Sequence, residues 1–274
     1  MLAILYVVAL LYLGDSLSRR FYRFHSPSHR MATAFLVGLL LSSWVTYLGA
    51  LSFAWTGQAL LFGNLTFLAV ILLVGRFLPP PVLLDLHGTA PTRPPGTDRY
   101  DWLCLGACLT LGGWLMLATL NFRAGAFEFG FRSWSDFGAN LSLAQSFVLG
   151  NNFPSEHPFF SGVSLRYHFL FWFLAANLSY LGFNLVWGIN LLSLLSLLAL
   201  LIQLMTLAEL LFASRVVARL TAVLFFFASS SLAYVPFLRK QASWLEALRT
   251  ISQQKQFLET GYPYRGEDWG ALTV

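Results

Sequence analysis

The chain has 274 residues, of which 57% are hydrophobic and only 11% charged, and its formal net charge is +5. Soluble domains carry about 25% charged residues, so a water-soluble globular protein is excluded and an integral membrane protein is expected, its apolar excess facing lipid. The positive charge is almost all arginine placed beside apolar runs, which suits anionic headgroups and speaks against a nucleic-acid partner.

The opening run, residues 2–13, is apolar but short against the roughly 20 residues that cross a bilayer. No basic residue precedes it and Arg19 and Arg20 follow it, the reverse of a cleavable signal peptide, so it reads as a short spanning helix or the end of one. Arg19, Arg20, Arg23 and Arg30 crowd the next turn, which by the positive-inside rule is cytoplasmic. Residues 32–53 and 58–78 are spans. Residues 79–101, PPPVLLDLHGTAPTRPPGTDRYD, are rich in Pro and Gly and read as an exposed linker between modules. Residues 102–120 form the next span. Its two cysteines, Cys104 and Cys108, lie four apart on one helix face and read as small apolar fillers, with no companion ligands for a metal.

Counting crossings from the arginine turn puts residues 121–167 in an outer loop. After it, residues 169–187 form an apolar run interrupted by Asn177, Gly182 and Asn184, then 189–212 and 216–237 are spans. Arg215 and Arg219 favour a cytoplasmic turn only if 169–187 does not cross fully. The polar segment 238–274 is helical at first and irregular around 261–263; its last four residues read as the start of further sequence, and the chain as the N-terminal portion of a longer one. The expected fold class is all-α, a polytopic transmembrane bundle of five to seven helices whose outer loop carries an amphipathic interfacial helix. The expected divisions are 1–78, 79–101, 102–237 and 238–274.

The outer loop holds the densest polar chemistry, in WSDFGANLSLAQSFVLGNNFPSEHPFF, residues 134–160. Ser135 can cap a helix that starts at Asp136, and Gly150 with Asn151 can end it. At 3.6 residues per turn Phe137, Leu141, Ala144 and Val148 share a stripe, beside Asp136, Asn140, Leu143 and Phe147, while Ser142, Gln145 and Ser146 point away. Asp136 and Asn140 therefore lie on the apolar side, where an ionised group costs a few kcal/mol unless it has a partner or a cation. The helix N-terminus favours the carboxylate. Two readings follow for Asp136: a base or divalent-cation ligand, or an assistant to Ser135 in capping. Glu156 and His157 stand between Pro154 and Pro158, projecting from an irregular segment, and Arg166, Tyr167 and His168 stand where apolar sequence resumes. Interfacial anchoring accounts for Arg166 and His168 as well as function does. An Asp, a Glu, two His and an Arg at one membrane face, in a chain so poor in charge, suit a phosphate-bearing substrate.

The order of an apolar helix, WSDFGANL, GNNFPSEHPFFSG and LRYHFLFWFLAANLSYLG resembles the first catalytic loop and second core helix of the GT-C superfamily of polytopic glycosyltransferases, over residues 134–237. Relatives include protein O-mannosyltransferases, aminoarabinose transferases and oligosaccharyltransferases. The resemblance implies an inverting transfer on the extracytoplasmic side from a polyprenyl-phosphate-linked sugar, in the plasma membrane of a bacterium, with Mg or Mn as the cation if one takes part. On this chain Asp136 takes the acidic role, joined in the catalytic set by Glu156 and His157. Residues 154–158 with Tyr167 and His168 match the proline-rich element, Arg166 faces the donor phosphate, and Asn140 joins them in substrate binding. The lone Asp136, in SDF, stands where the superfamily carries an acidic doublet, which leaves a metal role open. Two other classes remain: a transporter or flippase-like protein, for which Asn64, Asn177 and Gln203 are the polar intrusions within spans, and a catalytically silent scaffold.

Overall fold

A computed structural model describes residues 2–77, 98–129, 134–228 and 239–253, without the side chains of 134–136, 161, 228 and 251–253. Most of the expected linker, the end of the expected 216–237 span and the last 21 positions lie outside the described residues. In chain order the helices and strands are α1 (Leu2–Phe21), α2 (Pro27–Ser52), α3 (Ala59–Phe77), α4 (Arg99–Thr119), β1 (Leu120–Arg123), β2 (Ala126–Phe129), α5 (Trp134–Leu149), β3 (Glu156–His157), β4 (Phe160–Ser164), α6 (Leu170–Tyr180), α7 (Leu185–Phe212), α8 (Arg215–Ala228) and α9 (Trp244–Gln253). Among the described residues five helices, α1, α2, α3, α4 and α7, are long and apolar enough to cross a bilayer. The protein is a polytopic all-α membrane protein with two small antiparallel hairpins.

Packing sorts the chain into two compact units, one of residues 1–98 with 139–203, the other of 99–138 with 204–274. Composition had suggested a boundary at 79–101 and one module over 102–237. By packing, residues 139–203 belong with the N-terminal helices.

In the first unit α1 and α2 run antiparallel with their backbones in close approach. A Cβ on Gly14 would collide with the Ala34 carbonyl, and one on Gly38 with the Leu10 carbonyl, the small-residue contact that lets membrane helices pack where no hydrophobic effect drives them together. One turn on, the buried Tyr6 hydroxyl bonds Thr46 Oγ1 at 2.8 Å and donates to the Ser42 carbonyl at 3.2 Å. At the other end the Asp15 carboxylate takes two bonds from Arg30, 2.6 and 2.8 Å, and lies 3.1 Å from Arg19. This ion pair lets α1 run 20 residues, past the 2–13 expected from hydropathy. Ser26 Oγ accepts from the His29 N–H at 3.1 Å and Pro27 takes the first position of α2, a standard helix start. α3 returns along α2, with Gly49 against Thr66 and Gly63 against the Thr46 carbonyl.

The expected interrupted run at 169–187 resolves into two helices. α6 has 11 residues, about 16 Å of helix, half of what the ~30 Å apolar layer requires, so it does not cross. It ends because Gly182 adopts φ +92° while the Leu181 N–H donates to the Asn177 carbonyl and the Phe183 N–H to the Leu178 carbonyl. Asn184 Oδ1 then accepts from the Val186 and Trp187 N–H groups at 3.0 and 3.2 Å and starts α7 four residues earlier than hydropathy suggested. Along α7, Gln203 Nε2 donates to Thr33 Oγ1 at 2.7 Å, so this helix reaches the end of α2 that carries Arg30.

In the second unit β1 and β2 form a two-residue hairpin through Ala124 at φ +50° and Gly125 at φ +82°. α4 packs on α8, where Arg219 Nε donates to Asp101 Oδ1 at 2.7 Å with its guanidinium over the Tyr100 ring. Cys104 and Cys108 are both free thiols on α4, and the Cys104 thiol lies 3.9 Å from the Arg219 carbonyl.

Candidate functional site

The polar loop is built on α5 and on what stops it. The helix covers Trp134–Leu149, starting two residues before the expected Asp136 so that Ser135 lies within its first turn and not at its N-cap, and Leu141, Leu143, Ala144 and Phe147 are buried. Its apolar face packs against the bundle: Phe147 rings with Phe153, Phe169 and Phe173, and Tyr47 of α2 meets the last three. Gly150 N–H and Asn152 N–H both donate to the Ser146 carbonyl, and Asn151 turns the chain at φ +46°, a conformation that Asn tolerates better than other non-glycine residues.

Two side chains then fix the loop to the end of the bundle, and a third braces it internally. Asn151 Nδ2 donates to the Ala54 carbonyl at 3.0 Å and its Oδ1 accepts from the Ala59 N–H at 3.3 Å, gripping the turn between α2 and α3. Ser155 shares a 2.9 Å hydrogen bond with the Tyr47 hydroxyl. Asn152 closes the loop on itself, donating to Ser146 Oγ and to the Glu156 carbonyl, both at 2.9 Å, and accepting from the Glu156 N–H at 2.8 Å. From Arg30 to Ser52 α2 rises about 33 Å at 1.5 Å per residue. The loop is thus held at the opposite end of the first unit from the arginine turn.

Of the expected site residues, Glu156 and His157 come together on β3, and the segment is a hairpin where an irregular projection was expected. Glu156 pairs with Ser164 and His157 with Phe160 across to β4, which bends at Gly162, φ +81°. Glu156 Oε2 accepts from the Gly162 N–H at 3.0 Å, and His157 Nδ1 from the Phe159 N–H at 3.3 Å. Each side chain therefore commits one polar atom to shaping the hairpin, which explains why the chain can fold back between two prolines. Arg166, Tyr167 and His168 are all exposed in the last residues before α6, with the Tyr167 and His168 rings 3.7 Å apart. A cation and a pair of adjoining rings, tilted 35° to each other, can engage a phosphate and the flat face of a sugar.

Asn140 is half-buried on α5. Asp136 sits in the first turn of α5, and its side chain lies outside the described residues. By packing, Asp136 groups with the second unit and Asn140, Glu156, His157, Arg166, Tyr167 and His168 with the first. Among the described residues no group of three or more His, Cys, Asp or Glu could hold a metal ion. The loop's anchors Tyr47, Asn151, Asn152 and Ser155 were not singled out from sequence as positioning residues. Of these only Asn151 carried a signal, as the residue that with Gly150 ends the helix.

What fold and site define together is a multi-pass integral membrane protein with an ordered polar loop at one end of its helices. Comparison with protein families, with curated proteins and with solved structures gives no match.

Proposed function

We propose that the protein is a glycosyltransferase of the GT-C type, moving a sugar from a polyprenyl-phosphate carrier to an acceptor hydroxyl on the outer face of a bacterial plasma membrane. The observation that supports it best is the loop 150–168, anchored to the bundle by Asn151 and Ser155 opposite the arginine turn and presenting Glu156, His157, Arg166, Tyr167 and His168. With the arginine turn cytoplasmic, that loop faces outward.

The transfer needs positioning, a base and a cation more than covalent help. The acceptor oxygen attacks the anomeric carbon from the side opposite the lipid phosphate, and configuration inverts. Its proton passes to a carboxylate, the role the resemblance alone gives Asp136; the carbon–oxygen bond to the phosphate breaks, and the polyprenyl phosphate leaves with the electron pair, Arg166 being the cation that the loop offers it. His157 and His168 are assigned to the same phosphate, Tyr167 and Asn140 to the sugar, and Glu156 to holding the hairpin with a further polar atom turned to substrate. Water then removes the proton from Asp136. Mg or Mn would ease the departure of phosphate, but the described residues supply no ligand set for it, and no step is routed through one. The polar intrusions that a transporter would use are engaged otherwise: Asn64 and Asn177 bond each other and Gln203 bonds Thr33.

The test is sugar transfer from polyprenyl-phosphate donors by the full chain in nanodiscs. The intact protein should transfer, Asp136→Asn should lose at least about 100-fold, and Arg166→Gln should lose rate through weaker donor binding. Absence of transfer by the intact protein from any such donor, or an Asp136→Asn variant as fast as the parent, overturns the reading.

A further inference from the structure

The segment after position 238 is polar in composition, yet the helix in it is two-faced. α9 has 10 residues and is started by its own side chains: the Glu246 N–H donates to Ser243 Oγ at 3.2 Å and Glu246 Oε2 accepts from the Ala242 N–H at 3.1 Å. This is a capping box with its return bond displaced by one residue, to Ala242 in place of the N-cap Ser243, so the helix is specified locally. Trp244, Leu245 and Leu248 fall on one side and are 75%, 78% and 62% exposed; Arg249 flanks them, Glu246 lies opposite, and the remaining side holds the buried Ala247 and the half-buried Thr250.

Three large apolar side chains on one face of a ten-residue helix need an apolar phase, and scattered surface residues do not have this arrangement. The chain's own spans place it in a bilayer. The charges fit the boundary of that bilayer: Arg239, Lys240 and Arg249 against Glu246 give residues 239–253 a net +2, which draws the segment to anionic headgroups. Trp at the end of the apolar face is the residue that settles best at headgroup depth.

We propose that α9 lies in the headgroup plane of the membrane, with its Trp244, Leu245 and Leu248 face on the acyl boundary and its basic residues on anionic lipid. The inference is independent of the glycosyltransferase reading. It is tested on the full chain with Cys104→Ala and Cys108→Ala, reconstituted in nanodiscs, by attaching a nitroxide at Leu248→Cys or at Thr250→Cys. Relative accessibility to oxygen over a water-soluble nickel chelate should be at least about fivefold higher at 248 than at 250. Equal, water-like accessibility at both positions makes α9 a solvated arm and overturns the proposal. So does shielding of 248 from both probes, which means that protein, from a second copy or another partner, covers the face. Hydrogen exchange of the unmodified chain gives a second readout that needs no substitution. Amides of 244–250 should exchange about tenfold more slowly in discs with anionic lipid than in zwitterionic ones, and equal exchange overturns the electrostatic part.

Discussion

Asn64 and Asn177, from α3 and α6, exchange two hydrogen bonds of 2.7 and 3.1 Å, and Asn177 is fully buried. Interhelical bonds between side chains in membranes average about 0.6 kcal/mol and reach about 1.7, so the pair is worth about 1–2 kcal/mol. The two single substitutions should differ. Asn64→Leu strips both bonds from an amide with no exposure, leaving it the Tyr6 hydroxyl alone, and should cost about 2 kcal/mol. Asn177→Leu leaves Asn64 its 2.8 Å bond to the Leu60 carbonyl and should cost about 1 kcal/mol. Replacing both by Leu removes donors and acceptors together and should return stability close to the parent. Reversible unfolding in lipid bicelles, read as a double-mutant cycle, measures this directly. A coupling below about 0.3 kcal/mol, with the two costs simply adding, would show that the amides do not hold α6 to α3.

Two further substitutions test the packing that presents the loop. Gly38→Leu puts a side chain against the Leu10 carbonyl and should destabilise by about 3 kcal/mol; unchanged unfolding would mean that α1 and α2 do not meet there. At Asn151, Gly and Ala both lose the bonds to Ala54 and Ala59, but only Ala must hold φ +46° with a Cβ. Asn151→Ala should therefore be about 1 kcal/mol less stable than Asn151→Gly and be cut faster by protease between 150 and 160. Equal behaviour of the two would refute the left-handed turn.

Local signals carried most of the helix pattern. The 3.6-residue stripe and the Gly150–Asn151 stop predicted the body and the end of α5, because both depend on residues within a few positions of each other, whereas its start lies two residues before the expected Asp136. Hydropathy placed only 2–13 in the first run because the apolar sequence stops there; beyond it Asp15 is paired with Arg30, 15 positions away. It likewise treated 169–187 as one flawed span, where Gly182 and Asn184 separate two helices. The loop's anchoring was not legible at all: Tyr47 and Ser155 are 108 positions apart, and Asn151 and Ala54 are 97 apart. No periodicity connects such pairs. Glu156 was read for its charge alone, since a two-residue strand closed by a carboxylate on a glycine N–H leaves no pattern in sequence.

The most direct measurement concerns which face of the membrane the loop occupies. A single cysteine at Arg23→Cys in the arginine turn, or at Phe159→Cys in the loop, is labelled in sealed, right-side-out vesicles by a membrane-impermeant maleimide, with Cys104 and Cys108 replaced by Ala. Position 159 should label in intact vesicles and position 23 only after permeabilisation. Labelling of both from the same side would contradict the separation of loop and arginine turn, and the proposed outward-facing donor site with it.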